Sequence, residues 1–230
     1  MDFKIFDLGL IKYEPTWHFQ KEVFKAVKYG YIDSALILCQ HHPVITLGRS
    51  ADRKNILFSD EELSLKEIRT FEIERGGDVT YHGPGQITIY PVFNLNYLKR
   101  DIHWFLRQLE EIIISFMADF DLKGGRHLGL TGVWVGDKKI ASIGIAVKNW
   151  ITYHGISMNI KADDLVNFKL IRPCGMDIEV TSVETESGRT INIAHTKEAI
   201  LRRFKYTFPN ARRNGSASTE ETLLLKEVRR

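Results

Sequence analysis

Arg75 to Gln86 reads RGGDVTYHGPGQ, a glycine-dense stretch between two runs of alternating apolar residues. Because glycine has no Cβ and tolerates positive φ, such a stretch lets the backbone approach a ligand closely. A long hairpin turn would need the glycines for its shape alone, but it would not need Arg75, Thr80 and His82 in the same loop. The sequence around this stretch therefore predicts two strands joined by a ligand-binding loop.

Composition limits the classes of protein to which the chain can belong. With 230 residues, of which 43% are hydrophobic and 27% charged, the chain has the composition of an ordinary globular protein. We expect one domain over residues 1–213, followed by a polar linker and tail over residues 214–230. A net charge of +3, with both signs mixed along the chain, is too small to indicate a nucleic-acid partner.

Targeting and redox signals favour a cytoplasmic protein. No apolar run approaches the roughly 20 residues of a membrane span, and the N-terminus lacks the pattern of a signal peptide. Two cysteines, Cys39 and Cys174, are too few for a disulfide framework, so we expect a reducing compartment.

Hydrophobic periodicity predicts a chain with both helices and strands. Asp101 is followed by a broad apolar stripe of helical spacing, which runs to Phe120 and is interpreted as core. Residues 132–160 alternate like three strands of a meander, for which we expect antiparallel pairing. Shorter helices are predicted over residues 59–66, with a cap at the first or second position, and over residues 196–204.

Two histidines follow Cys39 closely and raise the question of a metal site. Adjacent residues of a strand point to opposite faces, so His41 and His42 cannot easily bind one ion. No second cluster with the spacing of zinc ligands follows. We therefore predict no metal site and expect Cys39, inside the apolar run SALILC, to be a buried structural residue.

Cys174 lies between Pro173 and Gly175, in a segment that does not favour a helix. A cysteine thiolate attacks acyl carbonyls and forms a thioester, which can pass the acyl group on. Proline restrains the backbone before the cysteine, and glycine lets a substrate approach after it. The local sequence leaves two interpretations open, a nucleophile or a structural loop cysteine.

The glycine-dense stretch resembles the signature of the lipoyl(octanoyl) transferases of lipoate biosynthesis. That signature combines Arg-Gly-Gly with a threonine, an aromatic residue, a histidine and a later Gly-Gln at fixed spacing. The matching residues are Arg75, Gly76, Gly77, Thr80, Tyr81, His82, Gly85 and Gln86. A pattern of this length is far more specific than a short glycine motif. The resemblance extends from His42 to Met176 and covers over half of the chain.

This resemblance implies that Cys174 is the nucleophile and Lys139 the base. In the family, a lysine precedes an apolar-Ala pair and a glycine, and a cysteine stands in Pro-Cys-Gly. Residues 139–144 match the first pattern, so the role falls on Lys139 and not on Lys138. A lysine suits the task because it can stabilise a thiolate and also take its proton, whereas Arg172 could only stabilise it. Without the resemblance, a lysine at a hairpin would be expected to be a solvated surface charge.

The resemblance also implies a pocket for an acyl chain, with an apolar slot and polar groups near the carbonyl. The residues assigned to this pocket are Arg75, Gly76, Gly77, Asp78, Val79, Thr80, Tyr81, His82, Ser142, Ile143, Gly144, His154, Gly155, Ile156 and Ser157. His82 and His154 are interpreted as pocket walls, because the family uses lysine as its base.

The fold implied by the resemblance is α/β (α+β), of the biotin/lipoate ligase type. Helices flank a mixed, largely antiparallel sheet in that fold, and a smaller second sheet accompanies it. The implied reaction moves octanoyl from acyl carrier protein to Cys174, and then to a lysine of a lipoyl domain in a 2-oxoacid dehydrogenase subunit or the glycine-cleavage H protein. No cofactor, metal, nucleic acid or membrane is implied, because the thioester substrate is already activated.

Two other functions remain open at this point. The first is an ATP-dependent lipoate or biotin ligase on the same fold, which would use the glycine loop for an adenylate. The second is a non-catalytic domain that binds acyl carrier or lipoyl proteins. Cys174 and Lys139 argue against both, since neither function needs a thiol beside a base.

Overall fold

The computed structural model describes residues 3–209 and Ala211, so the tail predicted from residue 214 lies outside the described residues. The described helices are α1 (Tyr13–Lys28), α2 (Asp60–Leu65), α3 (Ile102–Met117), α4 (Val183–Ser187) and α5 (Ile193–Thr207). The described strands are β1 (Lys4–Ile11), β2 (Ser34–His41), β3 (Val44–Leu47), β4 (Arg69–Glu72), β5 (Val79–His82), β6 (Gln86–Phe93), β7 (Gly124–His127), β8 (Leu130–Val135), β9 (Lys138–Lys148) and β10 (Ile151–Asn159).

The larger of two sheets in this part of the chain has the strand order β1-β2-β6-β10-β9-β8-β7. β1 and β2 are parallel, and the other neighbouring pairs are antiparallel. The predicted three-stranded meander is confirmed, since it corresponds to β8, β9 and β10. These three strands are neighbours in the sheet because short turns connect them.

Helices cover both faces of the larger sheet. On one face, Phe105 and Phe116 of α3 join Phe204 of α5 in the largest apolar cluster. On the other face, Phe19 and Val23 of α1 pack against alternate residues of the same strands. Most of the α3 stripe is therefore core, as predicted. In the described part of the chain, no helix is both long and apolar enough to cross a bilayer.

The smaller sheet has the order β4-β3-β5. Tyr13 at the start of α1 packs with Val44 of β3 and with Ile73 after β4, and this cluster joins the small sheet to α1. The prediction of one loop between two strands is wrong in one respect, because residues 79–82 form β5 inside it. β5 exists because β3 offers it an antiparallel partner, which the local pattern does not reveal.

Side-chain caps decide where three helices begin. Ser59 and Asp101 cap α2 and α3, as predicted. The predicted start of the last helix at Thr196 is wrong, because Asn192 caps α5 and the helix begins one turn earlier, at Ile193. An asparagine side chain satisfies backbone N–H groups that the first turn of a helix leaves unpaired.

Three histidines, His41, His82 and His154, are buried where α1 and the two sheets meet. Burial lowers the pKa of His41 to about 4 and that of His82 to about 3, and it also lowers the pKa of His154. Nδ1 of His41 lies 3.1 Å from the Ile11 carbonyl oxygen. A carbonyl can only accept a hydrogen bond, so Nδ1 carries the proton and donates it. Nε2 of His41 then accepts from the Tyr90 hydroxyl at 2.7 Å, so the neutral imidazole is fully used.

We expect the free energy of unfolding to fall as the pH is lowered from about 6.5 to about 4. A buried imidazole with a depressed pKa stays neutral in this range, while the unfolded chain, with a histidine pKa of about 6.5, takes up protons. Urea unfolding across this range measures the effect. His41→Gln should reduce the pH slope, whereas His103→Gln, at an exposed position, should preserve it. An unchanged slope in His41→Gln would contradict the assignment.

Candidate active site

Residues 75–78, here called the signature loop, lie against β9. The Gly76 N–H donates to the Ile145 carbonyl at 2.9 Å, as if the loop were an additional strand. A Cβ at Gly144 would lie only 2.8 Å from the Gly76 carbonyl oxygen. Glycine is therefore needed on β9 as well as in the loop, because only bare backbone allows this approach.

The Arg75 side chain organises the signature loop from inside. Arg75 is 8% exposed, and its Nη2 donates to the Thr46 carbonyl at 2.7 Å and to the Thr46 hydroxyl at 3.0 Å. Its Nη1 donates to the Gly76 carbonyl at 3.0 Å. The guanidinium thus connects β3 to the loop and fixes the loop at one end of the cavity described below.

The predicted nucleophile belongs to a 3₁₀ turn over Pro173–Gly175, called the cysteine turn below. The backbone N–H of Arg172 donates to the Asn55 carbonyl at 2.7 Å, and the Asn55 side chain donates to Asp78 at 2.6 Å. Asn55 therefore connects the cysteine turn to the signature loop. The Arg172 guanidinium pairs with Asp177 at 2.9 Å.

Lys139 is joined to the segment that follows the cysteine turn. Its backbone N–H donates to the Glu179 carbonyl at 2.8 Å, and its carbonyl accepts from the Thr181 N–H at 2.9 Å. The Lys139 side chain is buried, and its ammonium lies 5.3 Å from the centre of the Trp134 ring. Backbone pairing therefore brings together two segments that are far apart in the sequence.

A β-bulge in β9 decides which lysine faces inward. Lys139 and Ser142 both line the cavity, although residues three apart on a regular strand point to opposite faces. The pairing of β8 with β9 shifts by one residue, so that Trp134 lies opposite Lys139 and Ile140 is the extra residue. An extra residue reverses the alternation beyond it, and bulges often re-aim side chains next to active sites.

Lys138 has a different environment from its neighbour. Its side chain is 41% exposed and lies 3.4 Å from Glu186 and 3.6 Å from Glu179. The negative charge of Glu186 raises the pKa of Lys138. Lys138 is therefore a surface cation held by two carboxylates, and it provides a natural control for Lys139.

A cavity of about 440 Å³ lies between the signature loop, β9, β10 and the cysteine turn. The sequence-predicted site residues that line it are Arg75, Gly76, Gly77, Asp78, Val79, Thr80, His82, Lys139, Ser142, Ile143, Gly144, His154, Gly155, Ile156 and Ser157. Pro173 also lines it, directly before Cys174. The structure thus brings nearly all of the predicted residues to one space.

Tyr81 was assigned to the pocket from the sequence, but it does not line this cavity. On β5 it alternates with Thr80 and His82, so its ring points away from the cavity. Its hydroxyl donates to the Asp164 carboxylate at 2.9 Å, and its ring packs edge-on to Phe168. Tyr81 therefore anchors β5 to the segment before the cysteine turn.

Several cavity residues were not predicted as site residues. Ile102 and Leu106, at the start of α3, were interpreted as core but line the cavity. Tyr13, Thr88, Tyr90 and Leu130 also contribute. Ile102 is 38% exposed, so the first turn of the α3 stripe extends beyond the core. Its i, i+4 spacing with Leu106 was visible in the sequence, but that spacing does not distinguish a core from a pocket.

His154 occupies the far end of the cavity. It pairs with Ile145 of β9, which lies on the order of 20 Å along that strand from Lys139 at about 3.3 Å per residue. Its Nε2 lies 3.2 Å from Glu74, and this hydrogen bond lowers the pKa of Glu74 to about 2. Because burial keeps the imidazole neutral, Nε2 carries the proton and donates to the carboxylate. His154 therefore serves as a wall at the end opposite to Lys139.

Residues 3–209 and Ala211 contain no group of three or more His, Cys, Asp or Glu side chains that could hold a metal ion. The polar groups of the cavity are backbone amides, hydroxyls, two histidines, an arginine, a lysine and an aspartate. Such a set can hold a carbonyl group and move a proton.

The profile of the lipoyl protein ligase A/B catalytic domain matches residues 12–205. The chain belongs to this family. An octanoyltransferase of Cytophaga hutchinsonii is 39% identical over 222 residues, which span 88% of this chain and 91% of that protein. Other curated relatives of the family bear the same name. The predicted family and the predicted acyltransferase class are thereby confirmed.

Solved structures of lipoate-protein ligases share the fold. A lipoate-protein ligase A bound with ATP has a TM-score of 0.76 and 16% identity, covering 99% of this chain and 94% of that chain. A bi-partite lipoate protein ligase from Thermoplasma acidophilum, studied with its E2 lipoyl domain, has a TM-score of 0.70 and 16% identity, covering 99% and 92%. The predicted fold class is confirmed by this likeness.

Proposed function

We propose that the chain transfers octanoyl from acyl carrier protein to lipoyl domains through a thioester on Cys174, with Lys139 as the base. The observation that carries this proposal is the meeting of two distant segments at one cavity. Lys139 and Pro173 both line it, and backbone bonds join Lys139 to the residues after the cysteine turn. Curated relatives named octanoyltransferases supply the identity of the acyl group.

In the first half-reaction, Lys139 takes the thiol proton and the Cys174 sulfur attacks the octanoyl carbonyl carbon. A new C–S bond forms, the C–S bond to phosphopantetheine breaks, and the leaving thiolate takes the proton from Lys139. In the second, a lysine amine of the lipoyl domain attacks the enzyme thioester. An amide bond forms, Cys174 leaves as a thiolate, and Lys139 takes the proton from the amine nitrogen.

The environment of Lys139 suits this role. A free cysteine thiol has a pKa of about 8.5, so a neighbouring cation must favour the thiolate at neutral pH. Arg172 is engaged with Asp177, whereas the buried Lys139 is directed into the cavity by the bulge. Burial is the condition under which a lysine amine can act as a base as well as a cation.

The cavity walls suit an acyl chain. Ile102, Leu106, Ile143 and Ile156 supply apolar surface to the cavity lining. An apolar slot excludes water from the thioester and holds the chain by burial of its methylene groups, each worth about 0.8 kcal/mol. Octanoyl-sized groups are therefore favoured over acetyl.

Incubation with octanoyl-acyl carrier protein in the absence of ATP tests the proposal. Intact mass should rise by one octanoyl group, the adduct should map to the Cys174 peptide, and hydroxylamine should release it. Cys39 is an internal control, because it is fully buried and burial raises the pKa of its thiol. An adduct on Cys39, or transfer that occurs only with free octanoate and ATP, would refute the thioester mechanism and favour the ligase alternative.

A further inference from the structure

A fully buried carboxylate connects α3 to the hairpin of β7 and β8. Glu110 is 0% exposed, and its Oε2 accepts from Arg107 at 2.5 Å and from Arg126 of β7 at 2.9 Å. Its Oε1 accepts from the backbone N–H of Gly132 in β8 at 3.2 Å. The two oxygens therefore hold two different strands of the hairpin against one helix.

Gly132 is the residue on which the Lys139 side chain rests. Its φ is +139°, a backbone conformation that side chains disfavour. A Cβ at this position would lie 2.8 Å from Cε of Lys139, 3.5 Å from its Nζ and 2.6 Å from the Ala141 carbonyl oxygen. The end of the lysine side chain thus crosses bare backbone, and the position of that backbone limits where the amine can lie.

We propose that Glu110 is a positioning residue for Lys139 and acts through the backbone of Gly132. Burying a carboxylate is costly unless its oxygens are paired, and the contacts described here for Glu110 go to the hairpin and to its own helix. An apolar residue could join a helix to a hairpin without that cost. A carboxylate adds a directional hydrogen bond to the backbone N–H of Gly132, and the backbone of Gly132 is in contact with the Lys139 side chain.

This inference rests on the proposed function, since it gives Glu110 a role only through the amine of Lys139. Displacement of a reacting group by about 1 Å can cost about 100-fold in rate. Glu110 is therefore expected to influence kcat and the reactivity of the Cys174 thiol. The substitution leaves the apolar residues that line the cavity, such as Ile143 and Ile156, in place, so the KM for the acyl donor should stay near its native value.

Glu110→Gln tests the inference with a side chain of nearly the same shape. An amide has one acceptor oxygen, so it can serve the Gly132 N–H or the arginines but not both. We expect kcat to fall about 10- to 100-fold and the pH profile of Cys174 alkylation to move upward. Glu111→Gln is the matched control. Glu111 also pairs with Arg126, at 2.7 Å, but its side chain is 57% exposed.

Gly132→Ala provides a second variant that does not depend on the buried charge. Its Cβ should push the Lys139 side chain aside and give the same change in the alkylation profile. Gly136→Ala is its control, because Gly136 also has positive φ, +57°, but a Cβ there would meet nothing within 4 Å. If Glu110→Gln is too unstable to purify, the alkylation profiles of Gly132→Ala and Gly136→Ala test whether the position of the Gly132 backbone controls the Lys139 amine.

Three outcomes separate the inference from the proposed function. If Lys139→Ala leaves the alkylation profile unchanged, the proposed role of Lys139 fails. If Lys139→Ala moves the profile while Glu110→Gln and Gly132→Ala leave it in place, only the positioning role is overturned. The double variant Lys139→Ala/Glu110→Gln should match Lys139→Ala alone, and a further shift in the double variant would show that Glu110 acts independently of the amine.

Discussion

Lys139→Ala should lower the rate of octanoyl transfer by about 10²- to 10⁴-fold, the usual cost of removing a general base. The same change should move the alkylation profile of the Cys174 thiol to higher pH, because the thiolate loses a buried cation. Slow acylation should persist, since the cavity and the sulfur remain. Stopped-flow alkylation and transfer assays with octanoyl-acyl carrier protein measure the two effects separately.

Lys139→Arg separates the two tasks assigned to the lysine. An arginine keeps the positive charge but cannot give up a proton, so thiolate formation should be partly retained while transfer to the lipoyl lysine falls. Lys138→Ala is the control, and it should keep the native profile because Lys138 pairs with Glu179 and Glu186 at the surface. If Lys139→Arg transfers octanoyl at the native rate, Lys139 stabilises the thiolate by its charge and is not the base.

Cys174→Ser should abolish the octanoyl adduct and lower transfer on the order of 10⁴- to 10⁶-fold, as expected when a covalent nucleophile is lost. A serine hydroxyl is not ionised near neutral pH, so it is a much weaker nucleophile than a thiolate. Intact mass after incubation with the acyl donor measures the adduct. Cys39→Ser is the control and should still form one adduct, although its buried position can cost stability.

The combination of the two changes provides a further check. Residues that act as one catalytic unit show strongly non-additive effects. Cys174→Ser/Lys139→Ala should therefore be no slower than Cys174→Ser alone. Losses that multiply would mean that Lys139 serves a second path, independent of the thioester.

A motif predicts that Lys139 is the base, but it does not predict the orientation of the lysine side chain. Counted from Ser142, regular alternation would have directed Lys138 toward the cavity. The bulge at Ile140 corrects this, and it depends on the pairing with Trp134 in another strand. A feature that two strands create together leaves no signal in the sequence of either strand alone.

Local features were the most predictable part of the fold. The cap at Asp101 and the meander of β8, β9 and β10 involve residues close in sequence, and both were predicted correctly. β5 and its pairing with β3 depend on residues far apart, so the short strand was missed. The same limit applies to the cavity, where Tyr13 and Leu106 arrive from helices whose apolar patterns are consistent with ordinary core.

The backbone bridge between Lys139 and Val180 also has a kinetic consequence for folding. β9 and β10 are joined by a short turn, so they can pair early, whereas this bridge closes a long segment of chain. Closing a long segment costs chain entropy before stabilising contacts can form, so contacts between residues far apart in the sequence form slowly. A refolding chain should therefore acquire its central hairpin first and bring the cysteine turn to Lys139 late, so that recovery of secondary structure precedes recovery of catalytic competence.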